Sequence, residues 1–261
     1  MIPVYLSIAG SDCSSGAGLQ ADLKTGFALG CYPLTAVTCV VSEVPGKVAG
    51  IVPMEPSFVA SQVRECLAAF PVAAIKTGML YSPDIVRAVA QELPAGIPLV
   101  VDPVMIATAG EPLMLRQALE AYERELFPRA TLLTPNLDEL LRLSGRTAIG
   151  SVAELEETAC ALATRLGCAI LAKGGHLSGD TCADSLALPD GSVHTQTHPR
   201  TTGISTHGTG CTLSSAITAF LAHGLPLLQA TEQALQYTAR AIATSHRWPT
   251  DTCALNHSGH T

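Results

Sequence analysis

The segment HGTGCT, His207 to Thr212, combines residue types that can hold an anion and move a proton. Gly208 and Gly210 give the backbone the freedom to turn consecutive N–H groups inward. An apolar helical pattern begins near Cys211, and the start of a helix carries partial positive charge. Together these features predict a site for phosphate oxygens. It is not a Walker A loop, because no Gly-Lys-Ser/Thr sequence follows.

Cys211 has three interpretations. A helix start and an adjoining anion site stabilise a thiolate, so Cys211 could accept a proton from a substrate hydroxyl. It could instead be an inert cysteine at a helix start. It could also form a nucleophilic dyad with His207, although a dyad needs an orienting partner that the sequence does not identify.

Polar residues and glycines also stand at the ends of apolar, β-rich runs. In an open α/β sheet, ligands bind beyond the carboxyl ends of the strands. Each residue alone is compatible with a turn, a helix N-cap or a solvated charge. Six strand ends of this kind together predict one ligand site at one edge of a sheet. The residues are Gly10, Glu43, Lys76 to Met79, Asp102, Asn136 and Lys173.

The elements that position these residues alternate between strands and helices. Runs such as VYLSIAG, PLVVDPVM and AILAKGG predict strands, and GLQADLKTGFALG predicts a helix. In that helix Leu19, Leu23 and Phe27 recur every four residues, and Gly30 ends the pattern. The alternation predicts a parallel sheet covered by helices on both faces. Pro189-Asp190-Gly191, between two alternating runs, predicts a β-hairpin.

Length and composition predict one domain over residues 1–261, with an irregular tail from about residue 246. The chain has 261 residues and 48% hydrophobic residues, enough for a large core. It has no basic leader and no run of about 18 apolar residues, so we expect a soluble, cytoplasmic protein without a membrane span. Nine cysteines without a CxxC pair predict reduced thiols. A net charge of −7 without a Lys/Arg-rich run argues against nucleic-acid binding.

Six stretches resemble the hydroxymethylpyrimidine/phosphomethylpyrimidine kinases of thiamin biosynthesis, members of the ribokinase-like superfamily that also contains pyridoxal kinases. From about residue 6 to 217 they are IAGSDCSSGAGLQADLKTGFALG, KTGML, VVDPVM, TPNLDE, KGGH and THGTGCTLSSAI. The resemblance implies a three-layer α/β/α fold with a mostly parallel central sheet, ATP, Mg²⁺ and a homodimer. It implies phosphorylation of the hydroxymethyl group of 4-amino-5-hydroxymethyl-2-methylpyrimidine, with its monophosphate as a second candidate substrate. The alternatives are a pyridoxal-type kinase and a non-catalytic homologue that binds ligand.

The resemblance also implies roles for the residues of the phosphate site. Cys211 takes the position of the aspartate base in sugar kinases of the superfamily, which favours the proton-acceptor interpretation. The N–H groups of Gly208, Thr209, Gly210 and Cys211 would hold the moving phosphoryl group. Lys173 would reach the ATP phosphates, and Thr209 would also contact ATP.

Three further residues are implied at the nucleotide and metal site. Asn136 and Glu139 form the N-x-x-E element of the superfamily, which organises Mg²⁺ through water, and Asn136 would also contact ATP. Asp102 is a second acidic contributor. Carboxylate oxygens are the ligands that this hard cation prefers. The alternative for Asn136 and Glu139 is a helix N-cap followed by a solvated carboxylate.

The acceptor pocket would be formed by five residues, with Asp22 on the polar side of its helix and Met79 and Val104 against a flat ring. They are Gly10, Asp22, Glu43, Met79 and Val104. Glu43 replaces a glutamine of the family, so the heterocycle must offer more protons to a group that only accepts. Alternatively, Val44-Pro45-Gly46 redirects the loop and leaves Glu43 in solvent. TTGISTHG also lacks a lysine found in the family, which weakens the case for a second phosphorylation.

Overall fold

The structure is a computed structural model that describes residues 1–105, 117–175, 177, 181–200, 207–250 and 252–258. A nine-stranded sheet has the spatial order β3-β2-β1-β4-β5-β6-β7-β8-β9. The six strands from β2 to β7 in that order are parallel, and β3, β8 and β9 are antiparallel to their neighbours. The strands are β1 (Val4–Asp12), β2 (Tyr32–Val44), β3 (Lys47–Pro53), β4 (Val72–Thr77), β5 (Leu99–Val101), β6 (Leu132–Leu133), β7 (Ala169–Lys173), β8 (Thr181–Ala187) and β9 (Val193–Pro199).

Helices cover both faces of this sheet. Neighbouring residues of a strand point to opposite faces, so Tyr5 packs in one apolar cluster and Leu6 in the other. This two-sided core confirms the predicted three-layer α/β/α fold. The helices are α1 (Gly18–Ala28), α2 (Pro56–Ala69), α3 (Pro83–Glu92), α4 (Ala118–Ala121), α5 (Leu137–Ser144), α6 (Val152–Leu166), α7 (Thr209–Ala222) and α8 (Leu227–Ala243), with a π-helical turn at Tyr122–Leu126 and a 3₁₀ turn at Phe127–Arg129. None of the described helices combines the length and apolarity needed to cross a bilayer.

The predicted hairpin is confirmed: β8 and β9 pair antiparallel, and Gly191 takes the positive φ of 90° that its turn requires. The nine cysteines, all of them within the described residues, form no disulfide with one another.

The predicted apolar face of α1 is confirmed at Leu19, which is buried, and is wrong at Phe27. Phe27 is 63% exposed, whereas Asp22, Thr25 and Gly26 are buried. α1 lies so close to the sheet that a Cβ on Gly26 would be 2.7 Å from the Tyr5 ring. A side chain larger than that of glycine would therefore not fit at position 26.

The tail that we expect to be irregular contains two short strands among its described residues. β10 (His246–Arg247) pairs antiparallel with β11 (Cys253–Ala254). Beyond them, the Asn256 N–H donates to the Ala241 carbonyl at 3.1 Å, and the Tyr237 hydroxyl donates to the His257 carbonyl at 2.7 Å. The tail thus packs on α8, and His257 Nε2 lies 3.0 Å from Thr212 Oγ1 at the start of α7.

Candidate active site

A cavity of about 350 Å³ lies beyond the carboxyl ends of the parallel strands and faces the start of α7. Parallel strands present these ends on one edge of the sheet, where ligands bind in open α/β folds. Of the predicted site residues and strand ends, Asp22, Lys76 and Thr77 do not line it, and the others do. The lining includes Gly10, Glu43, Met79, Asp102, Val104, Asn136, Glu139, Lys173, Gly208, Thr209, Gly210 and Cys211.

The anion loop at the start of α7 depends on one left-handed glycine. Gly208 has a φ of +82°, and a Cβ there would lie 1.8 Å from the Gly16 carbonyl oxygen. Only glycine accepts both constraints. Gly210 has ordinary helical conformation within α7, so the prediction that it also supplies an unusual backbone conformation is wrong. Its small size brings α7 close to Lys173, whose Nζ would lie 3.2 Å from an added Cβ.

Thr209 carries an unused polar group at this helix start. Its hydroxyl is buried and has no hydrogen-bond partner among the described residues. A buried hydroxyl without a hydrogen-bond partner destabilises the fold, so such groups usually bind a ligand or a water molecule. The position on the cavity wall suits a phosphate oxygen.

Lys173 provides a charged group at the end of β7. Its Nζ lies 3.3 Å from Asp102 Oδ1. Burial lowers the pKa of Lys173, but the carboxylates of Asp102 and Glu139 outweigh burial, and the net shift is upward. Lys173 is therefore an ammonium at neutral pH. Asp102 is held in turn by hydroxyl donors, Thr134 Oγ1 at 3.1 Å and Ser214 Oγ at 3.3 Å.

Asn136 and Glu139 form a capping box at the start of α5. Asn136 Oδ1 accepts from the Glu139 N–H, and Glu139 Oε2 accepts from the Asn136 N–H, both at 2.9 Å. Glu139 Oε1 also accepts from the Met105 N–H at 3.2 Å. Burial raises the pKa of Glu139, the Lys173 ammonium lowers it, and Asp102 raises it further. The N-cap of the predicted alternative is thus present, but Glu139 is buried and not solvated, and both residues line the cavity.

The acceptor side of the cavity has an apolar wall. Met79 packs with Cys39 and Val41, and Val104 lies against the same cluster. Gly10 allows the close approach, because a Cβ on it would lie 2.8 Å from Cys39 Sγ. This wall can contact the face of a flat heterocycle.

Glu43 lies at the edge of that wall in a cluster of titratable groups. It lines the cavity and is half-buried, so the alternative in which it points only to solvent is wrong. Ligand atoms of Asp12, Glu43 and His207 lie within 4.8 Å of one another. Burial and the Asp12 carboxylate raise the pKa of Glu43, and His207 lowers it.

Asp12 and His207 form an ion pair that the sequence prediction missed. His207 Nε2 lies 3.0 Å from Asp12 Oδ2. Burial opposes both charges, but each partner supports the other, so the pKa of Asp12 falls to about 2 and that of His207 rises. The Asp12 carboxylate also accepts from the backbone N–H groups of Ser14, Gly16 and Ala17. The one sequence signal for this pair was the position of Asp12 at the end of β1, where site residues are expected.

The placement of Asp22 in the acceptor pocket is wrong. Its side chain is fully buried and accepts from Lys76 Nζ at 2.6 Å, from Ser7 Oγ at 2.5 Å and from Ser215 Oγ at 2.6 Å. The physical reason is the orientation of α1, which turns the face carrying Asp22 toward the sheet and α7. Lys76, although it lies at a strand end, was not predicted to be buried.

The Cys211 thiol lies in the first turn of α7. Burial raises its pKa, the Lys76 ammonium lowers it, the carboxylates of Asp22 and Asp102 raise it, and a hydrogen bond from the Gly18 N–H lowers it. The net shift is upward, so Cys211 is a thiol at neutral pH in this structure. The expected stable thiolate is therefore not what these surroundings favour. His176 of KGGH and residues 201–206, where the family carries its lysine, lie outside the described residues.

The fold and the cavity together define a class of protein. A structure of pyridoxal kinase from Staphylococcus aureus in complex with AMP-PCP and pyridoxal aligns with a TM-score of 0.88 and 30% sequence identity. The alignment covers 100% of this chain and 95% of that one. The chain is a ribokinase-like phosphotransferase.

Sequence comparison identifies the family. Phosphomethylpyrimidine kinase is the family that matches residues 12–255. A hydroxymethylpyrimidine/phosphomethylpyrimidine kinase of Rhizobium meliloti is 38% identical over 255 residues, which covers 95% of this chain and 93% of that protein. A relative in Schizosaccharomyces pombe is 40% identical across 99% of this chain, which spans 50% of that protein's length. The chain belongs to the phosphomethylpyrimidine kinase family.

Proposed function

We propose that this kinase transfers the γ-phosphoryl group of ATP to the hydroxymethyl group of 4-amino-5-hydroxymethyl-2-methylpyrimidine, as a step of thiamin biosynthesis. The observation that carries the proposal is the single cavity that joins a phosphate-binding helix start to an apolar pocket rimmed by Glu43. ATP as donor is supported by the Staphylococcus aureus kinase, which is similar along its whole length and holds AMP-PCP. The monophosphate of the pyrimidine is the second proposed substrate.

At the phosphate end, catalysis consists of positioning and charge neutralisation. The N–H groups of Gly208, Thr209, Gly210 and Cys211 surround the transferred phosphoryl group, and the Thr209 hydroxyl gains the partner that it lacks. The Lys173 ammonium contacts the ATP phosphates. These donors need little rearrangement, because the helix start and the Asp102 carboxylate already hold them.

Asp102 and Glu139 are the proposed magnesium residues, and Asn136 supports them through the capping box. Both carboxylates line the cavity next to Lys173, and carboxylate oxygens fit a hard cation that binds partly through water. Bound Mg²⁺ would supply positive charge to the phosphate oxygens. Glu139 contributes in addition by fixing the Asn136 and Met105 backbone.

At the acceptor end, Met79 and Val104 contact the ring and Glu43 accepts hydrogen bonds from its edge. Cys211 then lies beside the hydroxymethyl group. Its thiol first releases its own proton to solvent, and the resulting thiolate takes the hydroxyl proton as oxygen attacks the γ-phosphorus. A pyridoxal-type substrate is the second candidate. The high structural similarity to a kinase that holds pyridoxal favours it, as does the carboxylate of Glu43, which suits a protonated ring nitrogen.

We further propose a homodimer in the cytoplasm. Apolar side chains of Val40, Val52 and Phe58, on β2, β3 and α2, are exposed in one protomer and would be covered by a second copy. Nine cysteines without a disulfide among the described residues suit a reducing compartment. Light scattering of the purified protein tests the dimer, and a monomer at micromolar concentration would contradict it.

The function is tested by measuring ATP consumption with five candidate acceptors: hydroxymethylpyrimidine, its monophosphate, pyridoxal, pyridoxine and pyridoxamine. We expect the highest kcat/KM with hydroxymethylpyrimidine. Cys211→Ala should lower kcat by about 10²- to 10⁴-fold, the usual contribution of a general base, with little change in ATP affinity. Preference for a pyridoxal-type acceptor would favour the second candidate, and no turnover with any acceptor would support a non-catalytic homologue.

A further inference from the structure

A buried ion pair joins the end of β1 to the start of α7. Asp12 is the last residue of β1, His207 precedes the N-cap of α7, and His207 Nε2 donates to Asp12 Oδ2 at 3.0 Å. Asp12 is 1% exposed and His207 is 9% exposed. Replacing a buried ion pair by well-packed apolar side chains is often neutral or stabilising, so stability alone does not account for this one.

The segment that follows β1 is shaped by the Asp12 carboxylate. Oδ1 accepts from the Ser14 N–H at 2.7 Å, and Oδ2 accepts from the N–H groups of Gly16 and Ala17 at 3.1 and 2.8 Å. The Ser14 hydroxyl also donates to Oδ2, at 3.0 Å. These four donors would remain if His207 were replaced, so Asp12 would not become a buried charge without a partner.

The anion loop contacts this segment beside the ion pair. A Cβ on Gly208 would lie 1.8 Å from the Gly16 carbonyl oxygen, and a Cβ on Gly16 would lie 2.7 Å from His207 Cδ2. The Gly208 carbonyl accepts from the Thr212 N–H at 2.9 Å and so belongs to the first turn of α7. Because His207 and Gly208 are neighbours in the chain, the hydrogen bond to Asp12 fixes the point at which the anion loop begins.

We propose that His207 and Asp12 are positioning residues, and that their hydrogen bond places the N–H groups of the anion loop against the γ-phosphoryl group of ATP. The inference rests on the proposed function of this loop as the site of the transferred phosphoryl group. His207 acts through the Gly208 backbone, and Asp12 acts through His207. Phosphoryl transfer depends on donors that are held in place before the reaction, which is what this pair supplies.

Glu43 offers a second way in which His207 could act. Ligand atoms of Asp12, Glu43 and His207 lie within 4.8 Å of one another. An effect through Glu43 would change KM for the acceptor, because Glu43 is the proposed acceptor contact. An effect through the anion loop would lower kcat and the affinity for the γ-phosphate, and it would leave KM for the acceptor unchanged.

The test compares His207→Asn with His207→Gln, two amide side chains that differ by one methylene group. The glutamine amide can donate from about the position of Nε2, whereas the asparagine amide is too short to reach Asp12. Isothermal titration calorimetry with ADP and with AMP-PCP, in the presence of Mg²⁺, gives the preference for the γ-phosphate as the ratio of the two Kd values. His207→Asn should lower this ratio about 10-fold, the equivalent of one hydrogen bond to a charged group, and His207→Gln should keep it within about 2-fold of the wild type.

His223→Leu is the matched control, because His223 ties the other end of α7 to the chain that follows α1. Its ring contacts the Leu29 carbonyl through Nε2 at 2.8 Å, and this variant should keep the wild-type ratio. The inference is overturned by equal ratios in His207→Asn and His207→Gln, by the same loss in His223→Leu, or by a wild type that binds both nucleotides equally. Urea unfolding checks the fold, and loss of folding in His207→Asn alone would assign the pair to stability and overturn the inference as well.

Turnover assays separate the anion loop from Glu43. His207→Asn should lower kcat by about 10-fold or more with KM for the acceptor unchanged, and His207→Gln should retain most of the wild-type kcat. A change confined to KM for the acceptor would assign the effect to Glu43 and contradict the inference. Nucleotide binding needs no acceptor, so the Kd ratio decides the inference independently, and a wild type that turns over none of the five acceptors would contradict only the proposed function.

Discussion

Gly208→Ala tests whether one left-handed residue holds the anion loop at the start of α7 against the segment that contains Gly16 and Ala17. Gly208 has a φ of +82°, and the added Cβ would lie 1.8 Å from the Gly16 carbonyl oxygen and 3.3 Å from the Ala17 Cα. These are backbone atoms and cannot rotate away. To reach an ordinary contact distance, the two loops must separate by about 1.5 Å.

The expected loss has two parts. The left-handed conformation alone costs alanine about 1 kcal/mol in the free energy of unfolding. Separation of the loops then moves the N–H groups at the start of α7, and a misplacement of about 1 Å at a reacting centre costs about 100-fold in rate. We expect kcat/KM to fall by about 100-fold or more and the free energy of unfolding to fall by about 2 kcal/mol or more.

Two glycines provide matched controls in urea unfolding and steady-state kinetics. Gly145 has a φ of +73° and no atom within 4 Å of an added Cβ, so Gly145→Ala measures the conformational cost alone. Gly210→Ala adds a methyl group near the flexible Lys173 Nζ, within helix α7, and should stabilise the fold by up to about 1 kcal/mol. If Gly208→Ala loses no more stability than Gly145→Ala and keeps wild-type kcat/KM, the loop contact does not organise the site.

Three further predictions concern titratable groups. Glu43→Gln should raise kcat/KM for neutral hydroxymethylpyrimidine relative to protonated heterocycles, and it should remove a pH dependence of acceptor binding. If the wild type and the variant have the same substrate preference and the same pH dependence, Glu43 does not contact the acceptor. Burial lowers the pKa of His257 to about 4, below its value of about 6.5 in the unfolded chain, so its contribution is complete above pH 6.5 and is lost as pH falls toward 4. In urea unfolding, the free energy of unfolding of the wild type should fall by about 2 kcal/mol more than that of His257→Gln between pH 7 and pH 5. Equal losses would show that His257 does not cause the pH dependence of stability. Glu139→Gln should raise the half-activating Mg²⁺ concentration about 10-fold or more. The control Glu154→Gln, at the start of α6, should leave it unchanged. If both variants have the same half-activating Mg²⁺ concentration, Glu139 does not belong to the metal site.

The site residues at strand ends could be predicted from the sequence because the signal lies in the neighbouring residues. Gly10, Asp102, Asn136 and Lys173 each follow an apolar run, and parallel strands bring such positions to one edge whatever the packing details. The hairpin at Pro189 to Gly191 is equally local, since it depends on the turn residues themselves.

The face of α1 that is buried could not be predicted from the sequence in the same way. Spacing places Leu19, Leu23 and Phe27 on one face, yet α1 turns Asp22, Thr25 and Gly26 toward the core and leaves Phe27 exposed. This orientation of α1 makes Asp22 a buried partner of Lys76 and not a pocket residue.

By itself, the sequence determined the alternation of strands and helices, the family and the edge of the sheet that carries the site, because these follow from periodicity and from short motifs. Only the tertiary structure decided which charges meet. Asp12 pairs with His207 across 195 positions, and Asp22 with Lys76 across 54. The sign and size of a pKa shift depend on burial and on such distant partners, so the protonation state of Cys211 could not be predicted from the residues around it in the chain.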